Sequence, residues 1–183
     1  MTAHEVKGVW FITARAEVES TFGKDALEVL VESVPSKHRK IIAEPLTSEW
    51  YPEEALQACL RSLRLDLMRG ESTRFAQFLE RCTERGVGTF FSALLRMSTP
   101  RFVLGQVPTM WRHIRRGPGF VEVEHGEHQS VLRYQSFPYF DDPIYEELTV
   151  ASVGAVLRVC TKSEPDLTVD RVTHDALDLR VRY

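Results

Sequence analysis

The chain has 183 residues, 43% of them hydrophobic, with 26 acidic against 23 basic side chains and a net charge of −3. A length of this order buries about 70% of the unfolded surface, so one core and a single domain over 1–183 are expected. Slight acidity argues against a chain built mainly to neutralise nucleic-acid phosphate, and no apolar run approaches the ~20 residues of a membrane span. Cys59, Cys82 and Cys160 are odd in number, far apart and without a CxxC pair. That pattern predicts mostly buried thiols and no disulfide framework. With a charged N-terminal stretch unlike a leader peptide, it predicts a cytoplasmic protein.

Residues 6–12 (VKGVWFI) form a short apolar segment, a first strand or the start of a helix. After Phe22-Gly23, Ala26, Leu27, Leu30, Val31 and Val34 recur at helical spacing, which predicts a helix over 24–34. Pro35 ends it, and Ser36 is placed to cap a short helix through Ile42. Residues 45–50 read as a loop. Pro52 with Glu53 and Glu54 marks a helix start, because proline fits a first turn and acids favour the positive end of the dipole. That helix is expected to reach about Arg69, burying Leu56, Leu60, Leu63 and Leu67. Gly70 stops it, Ser72 caps the next helix (Phe75, Phe78, Leu79, Cys82), and Gly86 with Gly88 predicts a break before Phe90, Phe91, Leu94 and Leu95. Ser98-Thr99-Pro100 opens a further helix, kinked or split near Gly105 and Pro108, that ends in Arg115-Arg116-Gly117.

Beyond Gly117-Pro118-Gly119 the apolar period changes from 3.6 to 2. Strands are predicted at 120–124 and 131–137, and again at 167–173 and 177–182, with a bulge near Asp170-Arg171 where the alternation slips. Between the pairs, Pro143 opens a helix to about Cys160, and its segment 148–157 holds no charged residue. The expected fold is α+β. A mainly helical subregion (1–117) packs against a four-stranded antiparallel sheet (118–183) of order ββαββ with a buried crossover helix.

The layout resembles an uncharacterised family of this size restricted to myxobacteria, through Lys7-Gly8-Val9-Trp10-Phe11, Phe22-Gly23, Trp50-Tyr51-Pro52, Ser98-Thr99-Pro100 and Met110-Trp111-Arg112. More distantly, helices followed by ββαββ resemble the superfamily of haem–nitric-oxide sensor domains, vinyl-reductase-type ligand-binding domains and vesicle-tethering TRAPP subunits. The resemblance implies a fold with a pocket between helices and sheet, and no single function.

Tyr134-x-Ser136 is similar to the Tyr-x-Ser-x-Arg pattern with which the haem sensors hold haem propionates, but Pro138 stands where the arginine would. The axial histidine would have to be His113, which lies in a basic run away from the position the sensors use. The paired cysteines of the vinyl-reductase-type domains have no counterpart in 172–181, so that metal site is not expected. His125-x-x-His128 between Glu124 and Glu127 reads as a solvated turn rather than a zinc site. Arg112, Arg115 and Arg116 offer a contact for an anion or an acidic partner. No Gly-x-Ser-x-Gly motif, activated cysteine or phosphate loop is present.

These residues predict a non-enzymatic sensory or interaction module. Foremost is a small apolar ligand bound between helices and sheet by Trp111, Tyr134, Ser136 and Tyr139. Next comes a protein adaptor or homodimer of the TRAPP-subunit type, and last a haem-binding gas sensor. Neither a cofactor, a metal nor a nucleic acid is expected.

Overall fold

The computed structural model describes the chain apart from residues 1, 2, 97, 162 and 163, and gives residues 88–96 as backbone alone. Among the described residues the order is β1 (Glu5–Lys7), α1 (Val9–Phe22), α2 (Lys24–Ser33), α3 (Ser36–Ala43), β2 (Trp50–Pro52), α4 (Glu53–Ser62), α5 (Ser72–Arg96), α6 (Pro100–Ile114), β3 (Arg115–Arg116), β4 (Phe120–His125), β5 (Gln129–Gln135), α7 (Pro143–Thr161), β6 (Asp166–Val172) and β7 (Leu177–Arg182). The expected α+β class is the one observed.

Local chemistry explains most helix ends. Thr99 caps α6 by accepting from the Phe102 N–H at 3.3 Å, with Pro100 in the first turn. Glu53 and Glu54 occupy the first turn of α4. That helix is shorter than its apolar stripe suggests. After Ser62 it widens into a π-helical turn, Leu63–Leu67, which keeps Leu63 buried but leaves Leu65 exposed. Arg69 and Gly70, both at positive φ, then end it. Pro35, not Ser36, takes the cap position of α3, and no side-chain cap bond forms there.

The break expected at Gly86 and Gly88 does not occur, since α5 runs unbroken through both. Each glycine costs a helix about 1 kcal/mol, and tertiary ties on both sides offset it. Glu17 of α1 takes hydrogen bonds from Arg81 and Arg85, Thr83 donates to the Ser152 hydroxyl of α7, and Arg158 of α7 pairs with Glu80. The side chains at Phe90, Phe91, Leu94 and Leu95 lie outside the described residues.

The Glu17 tie carries a pH dependence. Burial alone would raise its carboxyl pKa, but hydrogen bonds from Arg81, Arg85 and Thr21 outweigh it and hold the value below the usual range. A lowered native pKa stabilises the fold above the unfolded-state value of roughly 4.5. The contribution is lost as pH falls through the native value. Glu17→Gln is therefore expected to flatten the acid side of the stability–pH curve below about pH 5, as read by urea midpoints across a pH series.

The large sheet has the order β4-β5-β7-β6 with every neighbour antiparallel. Register pairs Val121 with Tyr134, Leu132 with Leu179 and Tyr134 with Leu177 on the buried side. The opposite side carries Glu122, Glu124, Arg133, Asp178 and Arg180. Between Val169 and Arg171 the ladder slips, and Asp170 is the surplus residue. Helix α7 lies between α5 and this sheet, so close to β6 that a Cβ on Gly154 would stand 3.2 Å from Leu167. Dense packing on both sides is why its central stretch lacks charge.

A second sheet, not expected from the sequence, has the order β2-β1-β3. It draws the N-terminal strand against the end of α6. The following turn requires Gly117 (φ +126), whose Cβ would lie 3.0 Å from His4 Nδ1. One apolar cluster extends from Val6 through the helices to Val181.

Candidate functional site

The residues singled out at the helix–sheet junction lie together, but as packing. Trp111 descends from α6, Tyr134 from β5, and Phe137 and Phe140 from the turn that follows. Tyr145 comes from the first turns of α7. All five are at most 6% exposed. Trp111 meets Tyr134 and Phe137 edge-on at 5.4 and 5.1 Å between ring centroids, and Phe137 meets Phe140 and Tyr145 at 5.3 and 5.4 Å. These are the distances of favourable aromatic pairs. The Trp111 indole N–H donates to the Gly119 carbonyl at 3.0 Å, so its polar end is satisfied inside the chain.

Ser136 does not join Tyr134. Alternation would point both inward, but β5 ends at Gln135 and Ser136 has φ +56, a left-handed conformation rare for serine. The turn sends Ser136 outward and Phe137 inward, where the Phe137 N–H bonds the Asp175 carbonyl at 2.9 Å. Ser136 lines a shallow cleft of about 220 Å³ with Arg133, Gln135, Arg171, Asp175, Ala176 and Asp178. Half-buried Tyr139 borders another, of about 300 Å³, beside Gln57, Arg61 and Asp142. Both clefts are polar.

The arginine run disperses. Arg112 is exposed in the last turn of α6, as is His113. Arg115 turns inward on β3, stacks on Trp111 with its guanidinium carbon 4.5 Å from the ring centroid, and pairs with Glu53 Oε1 at 3.4 Å. Arg116 turns outward and lies 4.0 Å from the Trp50 ring centroid.

At the junction's centre is therefore a buried ion pair that the sequence did not announce. Glu53 is fully buried, Arg115 is 8% exposed, and the Tyr145 hydroxyl donates to Glu53 Oε1 at 3.0 Å. Burial, with Glu53 next in weight, pushes the Tyr145 hydroxyl well above its ordinary pKa. Glu53 reads from sequence as one of two first-turn acids; only the in-and-out alternation of Arg115 and Arg116 hints that one arginine of the run is internal.

The remaining candidates are structural in their surroundings. The His125 ring turns inward to the buried Ser130 hydroxyl (Nδ1···Oγ 2.8 Å), which also bonds the Tyr183 hydroxyl at 2.9 Å, while His128 faces solvent. The two imidazoles do not converge on a metal. Ser130 is 0% exposed, so this chain of groups ties strands rather than meeting a substrate. Burial pushes the Cys59 thiol up to about 12 and raises Cys82 and Cys160 too, away from the thiolate that nucleophilic chemistry needs.

No family model and no curated protein matches the chain, so the resemblance to a myxobacterial family finds no support. Solved structures do match. The Fe(II) unliganded H-NOX protein from K. algicida superposes with a TM-score of 0.69 at 12% identity, over 96% of this chain and 95% of that one. An S. oneidensis H-NOX protein in the Fe(II) state gives 0.67 at 16% over 96% and 95%. A mutant of T. Tengcongensis H-NOX gives 0.67 at 10% over 96% of both chains. The leading expectation, an apolar small-ligand pocket, is overturned: the architecture is that of the haem-domain class ranked last, and the supposed pocket is filled by side chains. At these identities the likeness establishes the fold, and the chain is built as H-NOX domains are built.

Proposed function

We propose that this chain is a cytoplasmic, non-enzymatic signalling domain of the H-NOX fold that takes its input from a protein partner, its interior being closed by its own aromatic side chains. The carrying observation is the stack of Trp111, Tyr134, Phe137, Phe140 and Tyr145, each at most 6% exposed. Haem held at Tyr134-x-Ser136 would need that space and an axial donor beside it. His113 faces solvent, Ser136 faces away from Tyr134, and position 138 is an exposed proline without a charge. Tyr134, Ser136, Pro138 and His113 do not together fit haem. Among the described residues no helix is long and apolar enough to cross a membrane.

Haem sensing is the competing reading, favoured by the whole-chain likeness to Fe(II) H-NOX proteins. Titration of the purified protein with haem separates the two. The expected result is the spectrum of free haem and an unchanged thermal midpoint. A stoichiometric, shifted Soret band with a raised midpoint would overturn the proposal, since selective binding to the native state must stabilise it.

A further inference from the structure

We infer that the outer face of the three-stranded sheet is a docking surface for an acidic segment of a protein partner; this rests on the partner-input reading above. Strand alternation divides the small sheet's side chains. Val6 opposes Tyr51 and Arg115 on the inner side, while Lys7 opposes Trp50 and Glu5 opposes Arg116 on the outer side. Half-exposed Trp50 is the focus of that outer face. Lys7 Nζ lies 5.1 Å from its ring centroid and the Arg116 guanidinium carbon 4.0 Å.

Two cations share one aromatic ring on this face. On the outer side of the large sheet Arg133, Arg180 and Arg182 are matched to Glu124, Asp170 and Asp166, the last two pairs at 2.8 and 3.0 Å. Lys7 and Arg116 have no such ion pair among the described residues, although Glu5 lies opposite Arg116 in register. In a chain with more acids than bases, two cations are thus held over one indole ring without a carboxylate. The last turn of α6 runs directly into β3 and adds exposed Arg112 and His113 to the same end of the molecule.

The chemistry complementary to this arrangement is a carboxylate. A guanidinium steadied on a ring keeps its hydrogen-bond fork free for a bidentate acid, and little side-chain freedom remains to be lost on binding. Tryptophan and arginine are also the residue types that dominate interface energetics. A single half-buried tryptophan offers no stacking platform for successive bases, and the net charge of −3 disfavours a polyanionic strand or an acidic membrane. A short acidic protein segment carries fewer charges and so meets less of that long-range repulsion.

The test measures binding of a fluorescein-labelled glutamate–tyrosine peptide to the full chain at low salt, by anisotropy. K7Q/R116Q is expected to weaken binding by about tenfold. R74Q serves as the control, because Arg74 sits over Phe22 on the helical side and makes the same kind of ring contact away from the sheet. Each single variant is measured as well, and thermal midpoints confirm folding; Arg116 is exposed, so R116Q keeps the test readable if the double variant unfolds. Equal binding by wild type, K7Q/R116Q and R74Q, or none by any, overturns the surface. Tighter binding to phosphatidylserine vesicles or a single-stranded oligonucleotide through the same residues overturns the partner class. A haem titration run on the same samples keeps the readings apart: a shifted, stoichiometric Soret band sinks the partner-input reading, whereas the free-haem spectrum with equal peptide binding sinks only this surface.

Discussion

Replacing Arg115 by alanine is expected to lower the unfolding free energy by about 3–5 kcal/mol. The loss comes from what the substitution leaves behind. Glu53 is fully buried, its Oε2 already has no hydrogen-bond partner, and Oε1 would keep only the Tyr145 hydroxyl. The stacking of Arg115 over Trp111 and Phe137 would go as well. Against a total stability of ~5–15 kcal/mol for a native protein, a loss of this size brings the chain to the edge of unfolding. Removing both charges is the informative partner experiment. E53L/R115M is expected to regain most of the loss, because two apolar side chains of similar volume carry no desolvation cost. Urea midpoints for the single and double variants check both statements. A loss under about 1 kcal/mol for Arg115→Ala would mean that Glu53 finds another cation or is hydrated.

Phe137→Ala is expected to cost a similar amount, about 3–5 kcal/mol, through the cavity it leaves. The ring is 2% exposed and touches His4, Trp111, Tyr139, Phe140 and Tyr145, which enter from the start of β1, α6, the turn after β5, and α7. Elements fixed at so many points cannot collapse freely into the void. Phe102→Ala provides the comparison. That ring is 48% exposed near the start of α6, and its removal is expected to cost under about 1 kcal/mol. Denaturant unfolding of the two variants side by side gives the difference. Equal losses would contradict the view of the junction as a packed core.

Much of this architecture was legible before the coordinates. The start of α6 is written in Thr99-Pro100 and that of α4 in Pro52-Glu53-Glu54, because cap and dipole chemistry is local. The four strands and the slip at Asp170 follow from period-2 alternation, and the missing charge in α7 reflects packing on two sides. What stayed hidden depends on distant partners. Strands β1, β2 and β3 are two or three residues long, too short to show a period. The unbroken course of α5 through its glycines is set by α1 and α7 rather than by its own residues. At the junction Trp111 meets Tyr134, whereas Tyr139 packs on Phe137 and Tyr145 beside a separate polar cleft, and no sequence mark separates a pocket lining from a pocket filling. The positive φ of Ser136 decided which it was, by exchanging that serine for Phe137.

The outer ladder of β6 has a consequence for how the protein keeps to itself. An added strand from a second copy would have to match hydrogen-bonding groups rung for rung, and the surplus residue at Asp170 puts those groups out of step halfway along. Asp166, Thr168 and Arg171 on the same strand add polar bulk that a flat ribbon would have to accommodate. Edge-to-edge growth into fibrils is thereby discouraged at this margin by the covalent spacing of the chain itself.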